Sequence, residues 1–225
     1  MRFAKVLLLA CLAAAPCTFA ITIGGDGGTS LDLRVFGPQD RVAGETQGAL
    51  SVKWWKWASS FDYASSPVSD MTGDRCAAGQ EGDVWFLAGT YEEKATRRTC
   101  RVPEGKTLFF PVINYVAIPQ QCATPGGVCP CEGAADLARQ MTDQPMGLFA
   151  ELDDRAINGL KGNRVTSPAC FNLAERVKGA PKVEPTASNG YWLAVRPLSK
   201  GKHTLRFGGS LPSLRQELIY TLIVE

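Results

Sequence analysis

The residues able to do acid–base or ligand chemistry gather in one stretch, from Pro67 to Asn114. Asp70 and Asp74 stand four apart across Thr72 and Gly73, which could offer oxygens to calcium but falls well short of a full calcium loop. Asp and Gly also make ordinary turns. Arg75, Arg97, Arg98 and Arg101 could bind an anion, or could pair with Asp70, Asp74, Glu92 and Glu93 on a solvated surface, where such pairs contribute about 0–1 kcal/mol. A carboxylate-dependent hydrolase such as a glycosidase needs two acids about 5 Å or about 6.5–9.5 Å apart. Asp70, Asp74, Glu81, Asp83 and Glu104 are the acids placed to supply them. Asn114, at the exit of a proline-containing strand, and Trp55, off the apolar stripe of a helix, complete the ligand-binding candidates: Trp55, Asp70, Asp74, Arg98 and Asn114.

Nucleophilic chemistry is poorly supplied. The chain has one histidine, His203, so multi-histidine zinc sites are excluded and any Ser-His or Cys-His mechanism would depend on that residue. No nucleophile-elbow pattern accompanies it, and its phase with Leu205 and Phe207 places it on the inward face of a strand. Of eight cysteines, Cys11 and Cys17 fall in a leader, leaving Cys76, Cys100, Cys122, Cys129, Cys131 and Cys170. An even number in an exported chain predicts disulfides. Cys76 and Cys100 each precede an apolar run and are expected to pair. Cys122 pairs with Cys129 or Cys131, leaving the other for Cys170. Cys129-Pro130-Cys131 as a redox pair and a four-cysteine zinc site are the alternatives, and the two-residue zinc spacing is missing.

Residues 1–20 have a basic start (Arg2, Lys5), an apolar run from Val6 to Ala15, and small residues Thr18 and Ala20 before a cut, the pattern of a secretory signal peptide. Removing it takes two basic residues from 24, leaving 22 against 22 acidic ones. A net charge of zero argues against a nucleic-acid partner. No later stretch is long and apolar enough to span a membrane as a helix. Residues 21–45 read as a flexible glycine-rich lead-in and a first strand over Leu31–Phe36, and residues 46–225 as one domain.

These side chains need elements to position them. Leu50, Trp54, Trp57 and Phe61 recur at helical spacing behind a Thr46 cap. The nearly unbroken apolar runs Val84–Ala88 and Leu108–Ile113 read as buried strands joined by an exposed charged connection, Glu92–Arg98. Pro111 implies an edge or a bulge. Ala134, Leu137, Ala138 and Met141 make a short helix. A strand over Leu148–Leu152 turns at Asp153-Asp154 or at Asn158-Gly159. Tyr191–Val195, His203–Phe207 and Leu218–Val224 close the chain as antiparallel neighbours.

Taken together, Asp70-x-Thr72-Gly73, Cys76, Gln80, Val84 to Thr90, Arg98-x-Cys100-x-Val102-Pro103-x-Gly105-Lys106 and Phe109 to Asn114 resemble a family of uncharacterised secreted bacterial proteins. Gly190-Tyr191-Trp192, Pro197-Leu198, Gly201 to Thr204 and Tyr220-Thr221-Leu222 extend the resemblance over about residues 46–225. It implies export and brings no reaction with it. The expectation is a mainly β fold, a two-sheet antiparallel β-sandwich with one amphipathic N-terminal helix and one short helix. It is expected to be secreted or periplasmic, to need no cofactor, and to act as a non-catalytic module binding a glycan or an envelope protein.

Overall fold

The computed structural model describes residues 32, 34–122 and 127–225. The expected signal peptide and glycine-rich lead-in lie outside these residues, as do Leu31 and Leu33 of the expected first strand. Of that strand, Val35 makes one antiparallel bridge with Val195.

Among the described residues the fold is mainly β, with two sheets and three α-helices. The strands are β1 (Val84–Phe86), β2 (Thr96–Val102), β3 (Thr107–Ala117), β4 (Met146–Leu152), β5 (Arg155–Ala156), β6 (Arg164–Thr166), β7 (Ala187–Val195), β8 (Gly201–Leu211) and β9 (Leu214–Val224). The helices are α1 (Gln47–Ala58), α2 (Pro119–Cys122) and α3 (Cys131–Met141). One sheet runs β1-β3-β7-β6 and the other β2-β9-β8-β4-β5. Between them lies the main core, where Leu108, Phe110 and Leu193 of the first sheet meet Leu205, Phe207, Leu218 and Leu222 of the second.

Both sheets are mixed, which corrects the purely antiparallel expectation. β1 pairs with β3 in parallel and β2 with β9 in parallel. The reason is connectivity: between β1 and β3 the chain crosses to the other sheet to form β2, so β3 returns beside β1 in the same direction. The three closing strands are also not all neighbours. β8 and β9 form a hairpin, whereas β7 belongs to the first sheet. Burial explains the division. Every residue of β7 is buried, because one face meets the second sheet and the other lies under α1, while β9 alternates and keeps one face toward solvent.

Helix α1 forms where Thr46 Oγ1 accepts the Ala49 N–H at 3.2 Å. It lays Leu50, Trp54 and Trp57 on Phe109, Trp192 and Val84. Two indoles fix its seat: Trp54 Nε1 donates to the Leu87 carbonyl and Trp57 Nε1 to that of Ala78, each at 2.9 Å. The edge of β1 is closed by Gln80, whose amide donates to the Phe86 carbonyl at 2.8 Å and accepts the Phe86 N–H at 2.9 Å. Pro111 sits in a central strand at the bulge between Pro111 and Ile113, and Gln216 donates to the carbonyls of Pro111 and Val112 there. The β4–β5 turn is Asp153-Asp154, both in the left-handed region.

The bridges are Cys76–Cys100, Cys122–Cys129 and Cys131–Cys170. The first ties the loop before β1 to β2, and the other two fasten α2 and α3. Replacing both Cys76 and Cys100 by serine is expected to lower unfolding stability by about 3 kcal/mol, from the 24-residue separation, read as a lower urea midpoint. Gly73 has φ 95° beside the Thr99 carbonyl, where any Cβ would collide. Gly73→Ala is therefore expected to cost about 2 kcal/mol in the same measurement.

Candidate binding site

The sequence stretch singled out for chemistry supplies β1, β2 and most of β3, and its opening loop is a platform that Arg98 braces through the carbonyls of Val68 and Asp70. Strand β2 alternates buried and exposed residues, so Arg97, Thr99 and Arg101 face solvent while Thr96, Arg98 and Cys100 face inward. Thr96–Arg98 is thus part of a strand, which corrects the exposed-connection reading of Glu92–Arg98. Arg98 is 3 % exposed and spends its N–H groups on fixed acceptors. Nε donates to the Asp70 carbonyl at 2.7 Å and Nη2 to that of Val68 at 2.9 Å. Nη1 meets the carbonyls of Ala88 and Gly89 at 3.0 and 2.9 Å and the Tyr220 hydroxyl at 2.7 Å. The Tyr220 hydroxyl in turn donates to Ala88 O at 2.8 Å, and the guanidinium carbon lies 5.6 Å from that ring's centroid.

The carboxylates above Arg98 build the loop. Asp70 accepts the Thr72 N–H at 2.9 Å and hydroxyl at 3.0 Å on one oxygen and the Arg75 N–H at 2.8 Å on the other. Burial works to raise its pKa, but these donors and the Gly73 N–H outweigh it and hold the group below 3.8. Asp74 accepts the Thr72 hydroxyl at 2.7 Å. The structure thus joins Asp70 to Arg98 through its backbone carbonyl and to Asp74 through the Thr72 hydroxyl, with Asp70 and Arg98 buried and Asp74 exposed. Trp55 and Asn114 lie elsewhere. Trp55 is half-buried on α1, edge-on to Trp54 at 5.1 Å, with its indole nitrogen enclosed. Asn114 is buried on β3 directly opposite Gly190, a contact too close for a Cβ on that glycine.

The platform instead presents residues outside the sequence candidates. Tyr63 is 71 % exposed and Tyr91 63 %, and Met71 sits on the intervening loop, half exposed. Their backbones are held firmly. The Tyr63 carbonyl accepts from Ser69, while Asp62 accepts the Ser65 N–H and hydroxyl at 2.7 and 2.6 Å. Thr90 Oγ1 contacts Thr96 Oγ1 at 3.1 Å and accepts the Glu92 N–H at 3.1 Å. Burial raises the pKa of the Tyr91 phenol above its ordinary value, and the charge of the Tyr63 phenol adds to the shift. Aromatic residues inside polar loop segments, Asp62-Tyr63-Ala64-Ser65 and Gly89-Thr90-Tyr91-Glu92, are the sequence signal that would have found them.

Two open clefts lie elsewhere. One, of about 590 Å³, is floored by Leu50, Val84 and Phe86 and rimmed by Glu45, Glu81, Asp83 and Glu175 with Lys53, Lys56 and Arg176. Three of its acids are taken: Glu45 by Lys53, Glu175 by Lys56 and Glu81 by Arg176, at 2.6–2.7 Å. Of the other acids, Glu104 faces Lys200 at 3.5 Å. The second cleft, of about 970 Å³, opens at the opposite edge of the sandwich among Val35, Phe36, Leu148, Ile157 and Leu160. Among the described residues no group of three or more His, Cys, Asp or Glu side chains is placed to hold a metal ion.

His203 is also committed. Its Nδ1 meets Asp153 Oδ2 at 2.7 Å and its Nε2 the Ser199 carbonyl at 2.9 Å, while Asp153 Oδ1 accepts the Thr204 N–H at 2.8 Å. With an acceptor at each nitrogen, the doubly protonated ring satisfies both bonds. Burial lowers the pKa, but the Asp153 bond, the Ser199 carbonyl and the Asp153 charge prevail and raise it above 6.5. Burial raises that of Asp153, but His203, the Thr204 N–H and the charge of Arg34 bring it below 3.8.

No family model matches this sequence, and no curated protein matches it. Among solved structures, the chain is similar to the solution structure of Amebosin over 58 % of this chain and 96 % of that one, at 8 % identity and a TM-score of 0.21. That degree of likeness carries no argument about fold or activity.

Arg98→Lys leaves carbonyls of Val68, Asp70, Ala88 or Gly89 buried without donors, and is expected to cost about 3 kcal/mol or more in a denaturant titration. The His203 clamp contributes stability that is complete below about pH 6.5, the unfolded value, and is lost as pH rises through the higher folded value. Its Asp153 half acts with the opposite sign, present above the unfolded carboxyl value and lost as pH falls through the lower folded one. Proton NMR of the single imidazole should therefore give a pKa above 6.5, and Asp153→Asn should bring it down.

Proposed function

We propose that the protein is an exported, non-catalytic binding module that holds a glycan on the Tyr63–Tyr91 platform. The observation that carries this reading is the division of labour among its polar groups. Arg98, Asp70, His203 and Cys76, Cys100, Cys122, Cys129, Cys131 and Cys170 are consumed by the fold, whereas two tyrosine rings stand exposed on braced loops. Such rings offer apolar faces to the apolar faces of sugars, with a hydroxyl at each tip. Asp62, Glu92 and Glu93 flank them in sequence and add acceptors for sugar hydroxyls. Export agrees with three disulfides, which suit an oxidising compartment, and with the leader-like residues 1–20. No helix among the described residues is long and apolar enough to cross a membrane.

A second reading, a carboxylate-dependent hydrolase, draws on the four acids that share the 590 Å³ cleft. The ion pairs of Glu45, Glu81 and Glu175 make it the weaker of the two.

Retention should be measured on a panel of cell-wall and plant polysaccharides, with product analysis of the same incubations. The double variant Tyr63→Ala/Tyr91→Ala is expected to weaken retention at least about tenfold, roughly 1.4 kcal/mol. Its denaturation midpoint should not move, because both side chains are exposed. Retention of no polysaccharide, or equal retention of the variant, would overturn the platform. Released sugar that vanishes in Glu81→Gln or Asp83→Asn would favour the hydrolase.

A further inference from the structure

The outward face of the second sheet carries a regular array that the tyrosine platform does not explain. Three strands lie in register there, and their solvent-facing residues form three rows. Arg97, Ile219 and Arg206 are directly opposite one another across β2, β9 and β8. Thr99, Thr221 and Thr204 form the next row, and Arg101, Ile223 and Lys202 the third. Cations thus occupy four corners, a threonine ladder crosses the middle, and two isoleucines lie on the centre line. From ordinary strand dimensions the corners stand ~10 Å apart across the sheet and ~13 Å along it.

A sheet face that serves only for solubility places opposite charges across from one another, since that pairing is favourable. Here the central strand separates like charges with aliphatic side chains. The acids of this face sit at its margin and are already bound: Glu151 and Glu217 to Arg206 at 2.9 and 3.6 Å, and Glu225 to Arg101 at 2.7 Å. Arg97 and Lys202, at diagonal corners, are exposed and have no carboxylate partner among the described residues. Arg215, exposed on the same face of β9, adds a third unpaired cation. Among the described residues no helix covers this sheet, whereas the first sheet is covered by α1.

We propose that this face is a docking surface for an acidic polysaccharide, a chain of sugars bearing carboxylates. Its charge complements the unpaired cations. A carboxylate at each end of a short run of sugars meets Arg97 and Lys202, the threonine hydroxyls bond the sugar hydroxyls between them, and Ile219 and Ile223 support the ring faces. An open sheet face suits an extended polymer, which can lie along it without the sheet reshaping itself. The surface lies on the second sheet's outer face and uses none of the residues of the tyrosine platform, so the two readings stand or fall separately.

The test is native electrophoresis of the exported chain through gels containing polygalacturonate, with dextran gels as the neutral control, at low and high salt. Retardation is expected only with polygalacturonate, and it should fade as salt screens the contacts. Arg97→Gln/Lys202→Gln should abolish it with an unchanged thermal midpoint, Arg97→Lys alone should largely keep it, and Tyr63→Ala/Tyr91→Ala should leave it intact. Equal mobility in both gels, or retardation that survives the Arg97/Lys202 double variant, would overturn the proposal. Binding to phosphatidylglycerol vesicles lost in that double variant, without retardation in polygalacturonate, would overturn it in favour of a membrane surface.

Discussion

A guanidinium removed from water has to find acceptors, and that requirement organises one whole end of this protein. Arg98 points into the sandwich from the strand that closes the second sheet, and its acceptors come from three parts of the chain: Val68 and Asp70 on the loop after α1, Ala88 and Gly89 after β1, and Tyr220 on β9. No single segment could satisfy it alone. The charge therefore sets the relative positions of segments that packing of apolar surface, which is non-directional, would leave free to slide. A second arginine does similar work at the opposite edge. Arg34 is held by Asp32 and donates to the carbonyls of Leu152, Arg155 and Ala156, joining the edge of the first sheet to the β4–β5 hairpin of the second. The His203 clamp sits on the same hairpin through Asp153.

Around these fixed points the remaining architecture follows from burial. The first sheet is covered on both faces, by the second sheet and by the tryptophans of α1, so its central strands are apolar almost throughout. The second sheet is covered on one face, so β2, β8 and β9 can devote alternate positions to solvent. The parallel pairs come from a chain that changes sheets between β1 and β3, with the Cys76–Cys100 bridge linking the loop before β1 to β2.

The elements most legible in the sequence were those with a strong apolar signature. β1 and β3 stood out as dense apolar runs, α1 as a tryptophan stripe behind a threonine cap, and Cys76 with Cys100 as a matched pair. Strand β2 was hidden because its inward residues include an arginine and two other polar-capable positions, Thr96 and Cys100, so its period-two pattern cannot be seen by hydrophobicity alone. Sheet membership was hidden because local spacing says nothing about which layer a strand joins, which is why β7 read as a neighbour of β8. For the site, the sequence placed Asp70, Asp74 and Arg98 in one charged stretch, and in the fold Arg98 meets the backbone of Asp70 while Asp74 reaches it only through Thr72. Which of their polar atoms are taken up within the fold depends on where each N–H and oxygen points, and spacing along the chain does not carry that. Tyr63 and Tyr91 escaped because single aromatics in loops have no periodicity to mark them.

Gln80 gives the chain a property that extends beyond its own fold. Its carboxamide reproduces, at Phe86, the pair of hydrogen bonds that a neighbouring strand would make, and Thr72 does the same in part for β2 by accepting the Thr99 N–H. An open β edge is a template for polymerisation, and a domain rich in β-branched and aromatic residues is especially exposed to that hazard when crowded. By presenting an imitation strand beside β1 and part of β2, the molecule withholds at these two edges hydrogen bonds to which another copy could add a strand.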